Sequence, residues 1–440
     1  MRSRLVALYA LGIIFTANFL NYMDRQLVSA LETPLRDELT LNEFEFGSLW
    51  SLFTIGYMVC AVPIGLLADH FSRTRIFALC VAVWSVATVA SGLAQTKEIL
   101  YAARVFIGVG EAGCLVIGPA LISDLFRRAA RGKALSVFYL GMPLGGTAAF
   151  ILSGLLIKMD WHGFYEQFHL PADTIAKYLE DAYRNMFYVA GVPGFLVALL
   201  IGLMRDPPRG ASEGAAHGAP RARLREYLQL LRNRTLLLII LAQAFAVFFL
   251  VPLIHYGVGF FEKSRGMNEQ ESRLALGSMA LIAGALGNFV SGLVGDLLAR
   301  RMRGAYALLA GVGFLAGWPC LITGFVVPER SVFLPALTLG CFFYFVCMPA
   351  VNTQIANVVR PAQRATAWAL AVFVLHLLGD TLAAPLFGKI IDTQGISRQQ
   401  TFLYFSGAIV LAGLCCLVAA GTARRDTARV APRVEEEATV

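Results

Sequence analysis

Asn21-Tyr22-Met23-Asp24-Arg25 stands inside an apolar run that begins at Leu5 and continues through Leu27, Val28, Ala30 and Leu31, to about residue 32. At ~1.5 Å of rise per residue, Asp24 lies ~28 Å along a helix long enough to cross a bilayer with some tilt. Asp or Arg at the centre of a membrane helix costs about 2.5–3.5 kcal/mol on insertion scales, less toward the interface, so such residues face protein or a water-filled cavity. An adjacent carboxylate and guanidinium at that depth therefore predict a multi-helix membrane protein organised around a buried polar site.

The rest of the chain agrees. Hydrophobic residues make up 57% of the 440 and charged ones only 15%, which excludes a water-soluble domain. Apolar runs predict twelve spans, near 5–32, 45–69, 76–95, 100–124, 132–157, 186–205, 234–261, 273–298, 304–327, 331–359, 364–391 and 401–422. The fold class is thus an all-α membrane protein of twelve transmembrane helices. Most of the 37 Lys and Arg fall on the side that carries the termini, which places both termini and the loop at 206–233 in the cytoplasm. The net charge of +8 is this bias, and no nucleic-acid partner is needed to explain it. Arg2 and Arg4 precede a run too long for a signal peptide, with no small-x-small site after it, so the run is expected to remain as the first span. The eight cysteines sit in apolar runs without metal-ligand spacing, so neither a metal nor a cofactor is expected. Neither a phosphate-binding glycine loop nor a nucleophile elbow is present to suggest an enzyme.

The stretch 206–233, rich in Gly, Ala, Pro and Arg, divides the spans six and six. It predicts a first bundle over 1–205, a cytoplasmic linker over 206–233, a second bundle over 234–422 and a disordered polar tail over 423–440. An internal repeat supports the division. Gly65-Leu66-Leu67-Ala68-Asp69 with Arg73 recurs as Gly292-Leu293-Val294-Gly295-Asp296 with Arg300, each copy closing the second helix of its half. Asp and Arg four apart share a helix face, and the glycines allow close approach of a neighbouring helix. One copy alone reads as a solvated charge pair; two copies in matched positions argue for more. This doubled Gly-x-x-x-Asp-x-x-x-Arg pattern resembles the loop motif of the major facilitator superfamily. The resemblance implies two six-helix bundles that rock about a central cavity, with Gly65, Asp69, Arg73, Asp296 and Arg300 latching the cytoplasmic side in the outward-open state.

In the fourth span, Arg104 and Glu111 are seven apart, roughly 10 Å along one face. That helix runs opposite to the first, so Arg104 reaches nearly the depth of Asp24, and Glu111 lies nearer the midplane. Asp24, Arg25, Arg104 and Glu111 are therefore expected to form one buried network, either a functional cavity or a structural ion-pair cluster. Gly108, Gly110 and Gly113 favour close backbone packing around Glu111. In the eleventh span His376 and Asp380 share a face, and histidine is the side chain whose charge changes nearest physiological pH. A helix-to-helix hydrogen bond is the plainer reading of that pair. Asn352, Gln354 and Asn357 line the same cavity or tie helices together. His255, near the outer end of the seventh span, reads as interfacial. The long outer loop at 159–185 offers Pro171 as the opening of a short helix with Ile175, Tyr178, Leu179 and Ala182 on one face, a lid or a membrane-lipid contact.

Asn21-Tyr22-Met23-Asp24-Arg25, Gly108-Val109-Gly110-Glu111-Ala112 and His376-Leu377-Leu378-Gly379-Asp380 resemble signature stretches of spinster-like transporters. Arg205-Asp206-Pro207-Pro208-Arg209-Gly210 is similar to that family too. The resemblance implies a secondary active transporter of an amphipathic, anionic, lipid-like substrate such as a lysophospholipid or sphingosine phosphate. It implies proton coupling, with Asp24, Arg25, Arg104, Glu111, His376 and Asp380 at functional positions. We expect a monomer in a bacterial inner membrane with both termini cytoplasmic. The rival expectation is a facilitator of a small hydrophilic organic anion or drug. Gly141-Met142-Pro143-Leu144-Gly145-Gly146 matches an antiporter signature only in part, so no transport direction is drawn from it.

Overall fold

The computed structural model describes residues 2–126, 128–169, 171–175, 179, 181–208, 230–302, 304–359 and 364–437. Among them there is no strand, and twelve helices are long and apolar enough to cross a membrane. Each falls on one of the twelve apolar runs, because a backbone in hydrocarbon must satisfy its own hydrogen bonds and a helix does so within one segment.

The first half comprises α1 (Arg2–Ala30), α2 (Glu32–Leu39), α3 (Glu43–His70), α4 (Arg73–Gly92), α5 (Lys97–Leu125), α6 (Arg128–Leu156), α7 (Trp161–Glu166) and α8 (Ala182–Leu203). The second comprises α9 (Arg234–Arg265), α10 (Glu269–Ala299), α11 (Ala305–Val326), α12 (Arg330–Asn357) and α13 (Arg364–Val374). A π-helical turn, Leu375–Asp380, then leads into α14 (Thr381–Gln394) and α15 (Arg398–Glu437). Sequence accounts for several boundaries. α1 stops at Ala30 because Pro34 has no N–H to offer the Ala30 carbonyl four residues back. α3 opens on a capping box: Asn42 accepts from the Glu45 amide at 2.8 Å, and Glu45 accepts from the Asn42 amide at 3.1 Å.

By contact the chain divides into two compact units, Met1–His217 with Ile254–Ser278, and Gly218–Leu253 with Met279–Val440. The division passes through α9 and α10, so the stretch 254–278, expected in the second bundle, packs in the first unit. Within that unit α5 is central, flanked by α3 and α4, while α1 packs on α6 and touches α5 and α8. Two glycines make this possible. Gly108 lies against the Phe53 carbonyl, and a Cβ on Gly110 would come within 2.7 Å of the Cys80 carbonyl oxygen and the Trp84 amide. Within the second unit α11 packs on α12 and α15.

Two expectations change. The tail is not disordered from residue 423: α15 continues as helix to Glu437. Asp426 fastens its extension by accepting from the Thr235 hydroxyl at 2.6 Å, at the start of α9. In the loop at 159–185 the ordered helix is α7, capped by Asp160 accepting from the Gly163 amide at 2.9 Å. After Pro171 an α-helical stretch covers Ala172–Thr174; Ile175 is buried, and Tyr178 lies outside the described residues. Residues 209–229 of the linker also lie outside them.

Candidate functional site

Helical spacing puts Asn18, Asn21, Tyr22 and Arg25 of α1 on one side, toward α5 and α6. Asn18 donates to the Phe138 carbonyl at 2.7 Å, and Asn21 reaches the Glu111 carbonyl at 3.5 Å. Arg25 donates from Nε and Nη2 to Glu111 Oε2, at 3.2 and 3.1 Å. Its guanidinium is boxed by aromatic rings, 4.6 Å from the centroid of Tyr22, 4.8 Å from Phe53 and 5.3 Å from Tyr57. Such faces attract a cation, more strongly when it is desolvated.

Arg104 approaches the same Phe53 ring, with its guanidinium carbon 4.9 Å from the centroid. Its Nε donates to the Leu49 carbonyl at 3.3 Å, whereas Nη1 and Nη2 are buried with no hydrogen-bond partner. Asp24 is held by the Thr88 hydroxyl, which donates to Oδ2 at 3.0 Å; Oδ1 is buried without a partner. Asp24, Arg104 and Glu111 are all at most 2% exposed.

The four charges predicted to gather do so within the first unit, but not as one closed ring. Arg25 and Glu111 form the direct ion pair. Asp24 takes Thr88 instead of an arginine, and Arg104 divides itself between a backbone carbonyl and a ring, within electrostatic reach of Asp24 and Glu111. The site thus holds a satisfied cation on Glu111 and a second cation with donors to spare. Guanidinium donors in that state suit a carboxylate or phosphate, which they bind in bidentate fashion.

In the second unit His376 Nδ1 lies 2.7 Å from Asp380 Oδ2, across the π-helical turn. Single π turns interrupt α-helices frequently at functional sites. Gln243 donates to Asn352 at 3.0 Å, joining α9 to α12, while Gln354 is buried. A shallow apolar groove, open to its surroundings, runs between α10 and α12, lined by Leu286, Leu334, Leu339 and Phe342.

The repeated loop motif is engaged unequally. Arg73 is buried: its backbone N–H donates to Asp206 Oδ2 at 2.7 Å, Nε to Asp206 Oδ1 at 3.2 Å and Nη2 to the Pro207 carbonyl at 2.6 Å, and it pairs with Asp124. Gly65 lies 3.4 Å, measured from its would-be Cβ, from Val116 of α5. The side chain of Asp69 lies outside the described residues. In the second copy Asp296 accepts from the Tyr306 hydroxyl at 2.6 Å, and Arg300 is exposed.

A family model described as Major Facilitator Superfamily matches residues 14–379. The chain belongs to the major facilitator superfamily. This facilitator is 28% identical over 392 residues to Protein spinster of Drosophila melanogaster, across 87% of this chain but 61% of the fly protein's length. It is 27% identical over 466 residues to the Sphingosine-1-phosphate transporter SPNS2 of Danio rerio, across 98% of this chain and 87% of that one. A crystal structure of a bacterial homolog to the human lysosomal transporter Spinster, inward-facing and unoccupied, superposes with a TM-score of 0.87 at 23% identity, covering 96% and 98% of the two chains. That likeness establishes the fold. The facilitator is accordingly an integral membrane transporter and not an enzyme.

Several of the facilitator's site residues carry no signal in its sequence. Thr88 is one hydroxyl in an apolar run, and Phe53 and Tyr57 look like ordinary lipid-facing or core aromatics. His255, expected at the interface, is fully buried; Trp50 packs edge-on against it, and it stacks 4.1 Å from Phe46. The correction arises because 254–278 is covered by the first unit.

Proposed function

We propose that this facilitator moves an amphipathic anion of the lysophospholipid or sphingosine phosphate type by alternating access, coupled to protons. The observation that carries the reading is Arg104: a buried guanidinium with two donor nitrogens unused, next to the Arg25–Glu111 pair. An anionic headgroup entering there pairs with Arg104 and competes with Glu111 for Arg25. A carboxyl group left buried without its cation takes up a proton, since burial disfavours the charged form. Loss of the charge removes the obstacle to closing an apolar cavity around the site, which couples the two movements. His376 and Asp380 supply a second proton-binding pair from the second half. The fish relative's name, a sphingosine-1-phosphate transporter, agrees with this substrate class.

In the same reading the termini and the 206–233 linker are cytoplasmic, as the Lys and Arg distribution favours, and the membrane is a bacterial inner membrane. Gly65, Asp69 and Arg73, with Asp296 and Arg300, form the cytoplasmic latch, and the working unit is a monomer. The test is uptake of a labelled lysophospholipid or sphingosine phosphate into proteoliposomes, with and without a pH gradient. Gradient-stimulated uptake that disappears in Glu111→Gln is the expected result. Uptake indifferent to both the gradient and the substitution would sink the coupling. Transport of short organic anions in place of lipid would reassign the substrate.

A further inference from the structure

The fifth membrane helix, α6, ends at Leu156, and the chain turns at once into α7, whose inward side is fastened to the helices before and after it. The Trp161 indole N–H donates to the Leu156 carbonyl at 3.2 Å, so the ring folds back over the end of α6 and is buried. The Tyr165 hydroxyl donates to Asn185 Oδ1 at 2.7 Å, at the start of α8, and the Asn185 amide donates in turn to the Leu179 carbonyl at 2.6 Å. Its neighbour Arg184, also buried, donates from Nη1 to the carbonyls of Gly92 and Ala94, both at 3.0 Å, and holds the start of α8 against the end of α4. α7 is thus tied at the level where α6 ends and α8 begins.

Its outward side is apolar. Four rings run in contact from inside to outside: Trp161 stacks on Tyr165 at 6.2 Å between centroids, Phe164 meets Trp161 and Tyr165 edge-on at 6.0 and 5.1 Å, and Phe168 meets Phe164 edge-on at 5.3 Å. Trp161 is buried and Phe164 half-buried, but Phe168 is 63% exposed. Leu155 and Met159, four apart across the end of α6, are exposed as well, so the lipid-facing surface of that helix continues past its last turn. The backbone is prepared for a layer poor in water. The Gly163 and Phe164 amides bond Asp160, through its side chain at 2.9 Å and its carbonyl at 3.2 Å, and the Phe168 and His169 amides bond the Tyr165 and Glu166 carbonyls, both at 3.0 Å. N–H groups paired in this way cost little to take out of water, whereas unpaired ones are expensive there. Lys158, Glu166 and Gln167, all exposed, supply the polar rim. Aromatic rings beside polar groups at the end of a membrane helix are the composition of the membrane–water interface.

We propose that Met159, Phe164 and Phe168 form an interfacial anchor that inserts into the lipid headgroup layer where α6 ends, its partner being the bilayer itself. The ties to Leu156 and Asn185 pass this contact to α6 and α8 and set their depth in the leaflet. The lipid-facing element of the loop is therefore α7, and not the residues after Pro171, where Ile175 is buried. The proposal uses no substrate.

The test reads depth in the bilayer and no transport. Changing the half-buried Cys60, Cys320 and Cys415 to Ala leaves only buried native thiols. In that background Phe168→Cys, Met159→Cys, Leu155→Cys and Glu166→Cys each receive a nitroxide, and the proteins in liposomes are compared by power-saturation EPR with oxygen, which concentrates in lipid, and a water-soluble nickel chelate. Leu155 is the lipid reference and Glu166 the water-side reference. The labels at 168 and 159 are expected to be roughly threefold or more as accessible to oxygen as to the chelate, as at 155. The reading at 159 is made with Phe168 in place and decides the matter if size exclusion shows that Phe168→Cys has lost its fold. Chelate accessibility at both positions equal to that at 166 would overturn the anchor and leave α7 a solvated element. Low accessibility to both reagents would overturn it in favour of a lid or a second protein surface covering these rings.

Discussion

Arg25 closes on Glu111 through two nitrogens and one oxygen, Nε and Nη2 both reaching Oε2, while Oε1 has no hydrogen-bond partner. The pair is therefore held firmly at one oxygen and open to a further donor at the other. Removing one partner of a buried ion pair costs about 3–5 kcal/mol, because the remaining charge is stranded, whereas replacing both is far milder. Arg25→Met should thus lower the unfolding temperature in detergent more than the double variant Arg25→Met/Glu111→Gln does. Losses that simply add would mean the two groups do not act as a unit.

Thr88 is the hydrogen-bond donor to Asp24. A hydrogen bond to a charged group is worth about 1.5–3 kcal/mol, and ~1.4 kcal/mol corresponds to tenfold in rate. If Asp24 belongs to the coupling machinery, Thr88→Val slows proton-driven transport about tenfold, and Thr88→Ser, which keeps the hydroxyl, restores most of it. Initial rates under a fixed pH gradient decide the matter. Equal rates in wild type and Thr88→Val would leave Asp24 with a structural role only.

Gly110 packs where no side chain fits, since a Cβ there would meet the Cys80 carbonyl and the Trp84 amide, both backbone atoms of α4. Overpacking of this kind costs about 1–3 kcal/mol. Gly110→Ala should reduce thermal stability and disturb Glu111, its neighbour in the chain. Gly12→Ala, with nothing within 4 Å of the added methyl, is the matched control and should be neutral. Thermal unfolding of both variants in one detergent makes the comparison.

The legible part of this molecule was the expensive part. A charge inside an apolar run announces itself, so Asp24, Arg25, Arg104 and Glu111 could be chosen from composition and brought together by helical period and antiparallel direction. What complements those charges was illegible. Thr88, the Leu49 carbonyl and the Phe53 ring are cheap groups in a membrane helix, and only the packing of α3 and α4 around α5 gives them a role. His255 was misplaced for a related reason. Its position along α9 suggests an interface, but burial depends on which helices cover it, and α1 and α3 do so from far away in sequence. The helical tail was hidden because a polar composition does not show that Asp426 will find Thr235.

The two copies of the loop motif look equivalent in sequence and are not equivalent in structure. Arg73 is buried and shared among Asp124, Asp206 and the Pro207 carbonyl, so it joins the start of α4 to the end of α5 and to the chain leaving α8. Removing it would take from both carboxylates the cation they share, and like charges brought to one buried arginine repel once it is gone. Arg300 is exposed, and an exposed charge contributes little to stability. Arg73→Ala should therefore lower the unfolding temperature in detergent markedly, whereas Arg300→Ala leaves it nearly unchanged. Adding Asp124→Asn to Arg73→Ala removes one of the two charges that shared the guanidinium and should recover part of the loss. If the two arginines proved equally dispensable in this assay, Arg73 would be a solvated loop charge, and its neighbours would need another explanation for their approach.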